Sequence, residues 1–365
     1  MQRKNVTKLL VSAMFVLIIG VLMVGGGCKS HREMIDDFGD ANEVCECELV
    51  FSEDDELFPS VVDIKVSDSL LVLSHPGGIR FFSFIGLDSG KLIAQWGIRG
   101  HGPGEYTGVD SKIQLFQDQL VFMDNNKNVN IIEMASLLND TKGVGGKREP
   151  YPYTRSFRPF SRIKILDDNL RICMGSFENG HFGLFDKHGV IVHHSFDYPF
   201  KDQNIQGLDL GTVYQGFIEP RPDGRRFVVA FGRSDCFEIF DNQGGMISLV
   251  YRNDYQSVPA VYKRPSSNRY SVDDDHSIAG ITGLSVTDSL ICIGYCGESS
   301  REHIKKGEKT SDILCFDWEG RKMKKIKLTT PVDYFCVDGN CIYGVEQGDK
   351  MNVYKFNFGS YKSNY

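Results

Sequence analysis

"VSDSLLVLSH", Val66 to His75, packs the end of an apolar strand, a polar turn and a second apolar strand into ten residues. The plan recurs in "FQDQLVFMDN" (Phe116 to Asn125), "LDDNLRICMG" (Leu166 to Gly175) and "VTDSLICIGY" (Val286 to Tyr295). Asp68, Asp118 and Asp168 follow one another at intervals of fifty residues, and the gap to Asp288 holds two periods plus extra loop. "RPDGRRFVVAFG" (Arg221 to Gly232) fills that gap, and "CVDGNCIYGVEQ" (Cys336 to Gln347) is a sixth copy. A fixed period of this length signals a repeat architecture, in which each unit buries its apolar surface against its neighbours.

Each copy has the same internal order. An apolar strand enters an Asp/Asn/Gly/Ser turn, which is hairpin chemistry, and a more apolar strand leaves it. An amphipathic strand follows, such as "IRFFSFIG", "VNIIEM" or "DILCFDWEG", and several copies close with an outer strand such as "KLIAQWG" or "MISLVYR". Four short antiparallel strands taken six times predict an all-β, six-bladed β-propeller. A two-sheet sandwich would leave the period unexplained. The innermost strands are read as "VVDIKV", "KIQLF", "RIKIL", "VYQGFIE", "GITGLSV" and "DYFCV". The sixth copy has only three strands, and an open sheet edge is a liability. "CELVF" (Cys47 to Phe51) is therefore expected to supply its outer strand and close the ring.

"WGIRGHGPGEYTG" (Trp96 to Gly108) has the glycine density of a phosphate-cradling loop. Such a loop needs Lys and Ser or Thr after its last glycine and then a helix. Here Glu105 and Tyr106 follow Gly104, and the next element is the strand "KIQLF". A seam between two blades is the better reading. This stretch, with "LVFMDNNKNVNIIEM" behind it, resembles the G-x-x-G-x-G-x-G-E-F linker and D-x-x-N core of NHL-type repeats. With the N-terminal signal described next, the chain is similar to the TolB-like six-bladed propeller lipoproteins of Bacteroides-type bacteria. The likeness spans residues 49 to 358, but its sharp motif, Gly100 to Tyr106, occurs once. It implies a fold and an envelope location and brings no catalytic residues.

Arg3, Lys4 and Lys8 precede the charge-free run Leu9 to Val24, and "GGGCKS" follows. That is the plan of a secretory signal, with an apolar run somewhat short for a spanning helix. It resembles a bacterial lipoprotein signal, cut before Cys28 so that this thiol carries the lipid, although Gly25 stands where that family has Leu. Several acyl chains would hold the protein on a membrane without spanning it. The resulting division is a signal peptide at 1–27, a tether at 28–46, the propeller at 47–358 and a tail at 359–365. Such a protein is exported and lipid-anchored to the inner or outer membrane, facing the periplasm or the exterior.

Removing the signal's three basic residues from the 41 leaves 38 against 48 acidic, a net charge of −10. That balance argues against nucleic acid as a partner, since nucleic-acid binding needs a basic footprint; "RKMKKIK" (Arg321 to Lys327) reads as a solvated strand and turn. The nine cysteines besides Cys28 lack metal-type spacing. Most fall in apolar strands, where a thiol behaves as a small hydrophobe. A Cys336–Cys341 hairpin bridge is the less favoured alternative.

Candidate contacts for a ligand or partner lie outside the repeat. Arg99, His101 and Glu105 share the seam loop; they bind a ligand there, or Glu105 pins the turn and pairs with Arg99. "KREPYPYTRSFRPF" (Lys147 to Phe160) interleaves Arg155 and Arg158 with aromatics, and the insertion Asn253 to Ala279 carries Tyr262. Arg and Tyr are enriched at binding hot spots, and long loops on rigid scaffolds carry function. Packing over the channel end is the plainer alternative for both. "FMDNNKN" (Phe122 to Asn128) lacks the glycine and distal Glu of a calcium loop. "HH" at His193 and His194 points to opposite strand faces, and "DDD" at Asp273 to Asp275 is the most acidic spot. No cofactor, metal site or catalytic residue is assigned. The expected function is a membrane-anchored binding or scaffold module for an envelope protein or small ligand. The alternative is a channel-sited hydrolase or lyase, lactonase-like and possibly metal-assisted. Asp63, Gln114, Gln215, Glu219 and Asp333 are the inner-strand groups available to such an enzyme, a thin set without histidine.

Overall fold

The computed structural model describes residues 42–53, 59–67, 69–139, 146–151, 157–177, 180–195, 197–199, 205, 208–253, 257–267, 269–307 and 309–359, together with 34 and 38. Two strands open the chain, β1 (Asn42–Cys45) and β2 (Cys47–Ser52), but both belong to its last two sheets. Blade 1 is β3 (Asp63–Ser67), β4 (Leu70–Ser74), β5 (Arg80–Gly86) and β6 (Lys91–Ile98), bonded in that order. Blade 2 is β7 (Gln114–Phe116), β8 (Gln119–Met123), β9 (Asn128–Glu133) and β10 (Lys147–Pro150), with helix α1 (Met134–Asn139) after β9. Blade 3 is β11 (Phe157–Ile165), β12 (Leu170–Phe177), β13 (Gly180–Asp186) and β14 (Ile191–Ser195).

Helix α2 (Leu208–Val213) leads into blade 4: β15 (Gly216–Pro220), β16 (Arg226–Phe231), β17 (Phe237–Gln243) and β18 (Met246–Arg252). A separate hairpin, β19 (Val261–Lys263) and β20 (Tyr270–Val272), precedes blade 5. That blade is β21 (Ile278–Val286), β22 (Ile291–Ser299), β23 (Thr310–Phe316) and β24 (Lys322–Val332), with α3 (Ser300–Lys306) between β22 and β23. Blade 6 is β25 (Tyr334–Asp338), β26 (Cys341–Gln347) and β27 (Met351–Asn357).

The protein is a six-bladed propeller, and its first strand in each blade matches the innermost strand read from the sequence. The ring closes as expected. β2 pairs antiparallel with β27, setting Cys47 opposite Phe356 and Leu49 opposite Tyr354. One boundary differs. Asn42–Cys45, placed in the tether on sequence grounds, pair parallel with β24 and make blade 5 five-stranded. Cys45 is buried with Leu290, Cys292 and Ile313, and Glu43 Oε2 accepts from Lys324 Nζ at 3.1 Å. The basic run is thus an inner partner of β1 rather than a free surface strand.

The repeated acid marks a turn, but the groups that hold the turn vary. Between β7 and β8, Gln117 and Asp118 have φ of 47° and 58°, the primed geometry that matches strand twist. In blade 3 the preceding residue acts: Asp167 Oδ1 accepts the amides of Asn169 and Leu170 at 2.8 and 2.9 Å. In blade 5 Thr287 Oγ1 accepts the Leu290 amide at 3.0 Å. Asp68 lies outside the described residues.

Apolar cores lie between neighbouring blades. Trp96 and Phe82 of blade 1 meet Phe122 of blade 2, with ring centroids 6.0 and 4.9 Å apart. Tyr106 from the seam completes this cluster at 5.7 Å from Trp96 and 5.4 Å from Phe122. The glycine-rich loop therefore closes back between its own two aromatic residues, Trp96 and Tyr106, which wedge the blades together. It is the expected seam. The segment Lys147 to Phe160, read as a long loop, is shorter than that: β10 takes its first four residues and β11 its last four.

Candidate functional site

In each blade the inner strand runs the same way along the axis. Blade-to-blade connections and second-to-third-strand turns therefore all gather at the face where the inner strands begin. The seam loop, α2, the β19–β20 hairpin and α3 all sit in such connections, so this face carries most of the insertions, while α1, between third and fourth strands, lies at the other.

Side chains two apart on a strand share a face. That rule turns Asp63 and Lys65, Lys112 and Gln114, Arg162 and Lys164, and Phe217 and Glu219 towards the channel, with Lys65 and Gln114 on the wide-cavity side of the throat. Lys65 Nζ and Lys164 Nζ both reach Glu219 Oε1, at 2.9 and 2.8 Å. Lys164 also donates to the Ile113 carbonyl at 3.0 Å. Lys112 Nζ donates to the Val62 carbonyl at 2.7 Å, lies 3.5 Å from Asp63 Oδ1 and sits 4.8 Å from the centroid of the Tyr334 ring. Arg162 lies over the Phe217 ring at 4.6 Å. Its φ of 74° is rare for a side-chain-bearing residue, and the β11–β12 register shifts around it, between Ser161 and Lys164. Backbone strain at such a position is a pointer to function.

The electrostatics follow from this crowding. Burial works against ionised Glu219, but Lys164 and Lys65 outweigh it and hold the carboxyl below its ordinary range. Asp63 is also held low, burial being overcome by Lys112, Lys65 and Lys164 with the Ile113 amide. Burial pulls Lys65 down too, yet Glu219 and Asp63 reverse the sign and raise it. For Lys112, Lys164 and Arg162 burial prevails, and all three are lowered.

Several polar inner-strand groups tie one blade to the next. Asp63 Oδ2 accepts the Ile113 amide at 2.9 Å. Gln114 accepts the Ile165 amide at 2.6 Å and donates to its carbonyl at 2.9 Å. Ser285 Oγ accepts the Val337 amide at 2.9 Å. Gln347 joins the last blade to the first through the Val61 amide and carbonyl, at 2.8 and 3.0 Å. Asp333 accepts the Gln347 amide at 2.6 Å and pairs with Lys309 at 3.3 Å.

The ion pairs constrict the channel to a cavity of about 30 Å³, roughly one water's worth of space. Beyond them, where the inner strands end, a cavity of about 600 Å³ opens between the hairpin turns. On the insertion face a cavity of about 270 Å³ is lined by Arg162, Gln215, Phe217, Arg233, Thr282 and the α3 residue His303. Another, of about 120 Å³, also reaches Arg162, beside Tyr214 and His181. Arg162 stands where the throat meets both.

Of the five inner-strand groups read from the sequence, Asp63, Glu219 and Asp333 line the throat, Gln114 faces the wide cavity and Gln215 the insertion-face one. The cations Lys65, Lys112, Arg162 and Lys164 were missed. Their signal was present in "DIKV", "KIQLF" and "RIKIL", where each occupies the same alternating face as the groups that were counted. The outlying candidates stay apart from the throat. Arg99 donates to the carbonyls of Gly78 (3.0 Å), Thr107 (3.3 Å) and Pro76, and Glu105 Oε2 accepts the Gly102 amide at 2.8 Å. Glu105 therefore pins the turn while Arg99 bonds elsewhere. His101 is exposed, and Tyr262 on β19 is 48% exposed. Arg158 belongs to β11, and Arg155 and Cys28 lie outside the described residues.

Asp124 gives its carboxylate to the Asn128 amide at 3.0 Å and to Asn130 Nδ2 at 3.2 Å, so "FMDNNKN" is a hairpin turn. The acids of this spot are each partnered: Asp273 lies 2.9 Å from His276 Nδ1, Asp274 pairs with Arg233 and Asp275 with Arg301. Cys336 and Cys341 are thiols, one buried and one half-buried. Among the described residues no group of His, Cys, Asp and Glu gathers as a metal site, and no helix is long and apolar enough to cross a membrane.

The architecture defines a class, and the family follows from it. The chain belongs to the TolB-like 6-blade propeller-like family, whose profile matches residues 41–340. A protein of Bacteroides fragilis named only as a candidate for export is similar in fold, with a TM-score of 0.54 at 12% identity over 87% of this chain and 99% of that one. Raptor of Chaetomium thermophilum gives 0.49 at 9% identity, over 87% of this chain and 30% of its own. No curated protein matches the chain.

Proposed function

We propose that the protein is an exported propeller, lipid-anchored through Cys28, that binds a ligand or partner at its insertion face and does not turn it over. One observation carries the reading: the throat carboxylates are committed. Asp63 and Glu219 are ionised by lysine partners, and Asp63 also holds a neighbouring blade. A general acid or base needs a pKa near the working pH, and both of these are driven away from it. The same face offers an arginine-lined cavity, exposed Tyr262 and the seam loop. Support for the location comes from the signal-like N-terminus and from a similar fold in a protein named for export.

The test is mild crosslinking in native membranes followed by recovery of the protein, for wild type and Cys28→Ala. Wild type should fractionate with membranes and bring down a reproducible partner or ligand, and Cys28→Ala should be soluble. Changing Arg155, Arg158 and Tyr262 together to Ala should weaken capture of a protein partner. A membrane-bound Cys28→Ala form would remove the lipid anchor from the proposal. A protein recovered alone from every preparation would remove the binding role.

A further inference from the structure

We infer that Arg162 is the charged end of a binding site for a small oxyanion, a carboxylate or phosphate group on a compact body. The inference rests on the binding reading above and names the chemistry of its ligand.

Three observations point the same way. First, the carboxylates around Arg162 are spent on other groups. Asp63 and Glu219 are paired with Lys65, Lys112 and Lys164. The next carboxylate, Asp110, uses Oδ1 for the Ser111 amide at 2.6 Å and Oδ2 for the Arg162 amide at 3.0 Å. Asp333 lies 3.3 Å from Lys309, which Glu346 holds more closely at 2.6 Å. With Asp110 and Asp333 counted, four carboxylates balance the four cations, yet among the described residues none of them forms an ion pair with the Arg162 guanidinium, which stacks on Phe217 instead.

Second, Arg162 is the least satisfied of the four cations. Lys65 and Lys164 share Glu219, and Lys112 has a carbonyl and a carboxylate. Arg162 Nη1 is buried and has no hydrogen-bond partner among the described residues. A guanidinium left this way loses the hydration that its fork would otherwise have, and its five donors match an oxyanion bidentately. Third, the space is suitable. The cavity of about 270 Å³ begins at Arg162 and is flanked by Phe217 and Ile281, with Gln215, Thr282, His303 and Arg233, itself paired with Asp274, as polar groups. A small pocket with an apolar wall and few placed polar groups is the usual form of a small-molecule site. The positive φ of Arg162 is what turns its side chain to this junction, and Phe217 fixes the guanidinium plane from below.

The experiment is calorimetric titration of the purified full-length protein with inorganic phosphate, benzoate and the neutral control benzamide. Wild type should bind at least one of the two anions saturably and leave benzamide unbound. Arg162→Gly removes the fork while suiting the positive φ. It should keep the ligand-free Tm within about 2 °C and lose roughly tenfold or more in anion affinity. Arg162→Lys should fall between the two. Wild type that binds neither anion at millimolar concentration, or Arg162→Gly that binds as wild type does, overturns the site. If a partner is still captured from membranes in that case, the binding reading stands and only its anion chemistry is lost.

Discussion

Lys65 and Lys164 approach a single oxygen of Glu219, whose side chain is 14% exposed while that of Lys164 is 2% exposed. Removing one member of so enclosed a group strands the others. Glu219→Gln is expected to destabilise the fold by about 3–5 kcal/mol, read by denaturant unfolding. A loss below about 1 kcal/mol would show that water already shields the two lysines. The pH dependence has a definite sign. Glu219 and Asp63 have lowered folded pKa values, so their contribution is complete above the ordinary carboxylate range of about 4 and disappears as pH falls through the folded values. Wild-type Tm should therefore drop below about pH 4, and Glu219→Gln should show a shallower drop. Lys164 acts oppositely: burial sets it below its ordinary value, so it costs stability at neutral pH and that cost fades in alkali.

The turn from the third to the fourth strand is built alike in blades 3 and 5. Asp186 Oδ1 accepts the amides of His188 and Val190, both at 2.8 Å, and Asp317 Oδ1 those of Glu319 and Arg321, at 3.0 and 2.8 Å. Gly320 then turns with φ of 81°, and a Cβ there would lie 2.4 Å from the Tyr251 ring in the neighbouring blade. Gly339 has φ of 54° with open space around it. Gly320→Ala should thus cost about 2 kcal/mol or more, and Gly339→Ala about 1 kcal/mol, measured as shifts in the unfolding midpoint. Equal losses would mean that Tyr251 yields freely. Elements such as these were legible because "FDKHG" and "FDWEG" state their turn chemistry and the flanking strands alternate. β1 was not legible: four residues hold too few alternations to register, and its partner β24 is remote in sequence. The throat cations were overlooked for another reason. Lysine and arginine usually mark solvated faces, and only ring closure turns the inner edge of every sheet towards one axis.

The ring is held by residues from both ends of the chain. Val50 and Phe51 of β2 pack against the core shared by blades 6 and 1, beside Val61, Leu73 and Val353. Truncation after residue 52 should lower Tm, blunt the cooperativity of unfolding and promote association through the bare edge of β27. Truncation that begins the chain at residue 38 keeps both strands and the edge-on packing of Phe38 against Phe316, 5.2 Å between ring centroids, and should leave Tm near that of the full chain. Matching melting curves and elution volumes for the two forms would mean that β2 is dispensable. The order of the two strands has a mechanical meaning. Tension applied to the N-terminal end reaches β1 on blade 5 first, and only after its bonds to β24 give way does it bear on β2. The strand whose loss opens the ring thus lies behind a sacrificial one, and a sharp tug can be absorbed at a single blade edge while the channel keeps its shape.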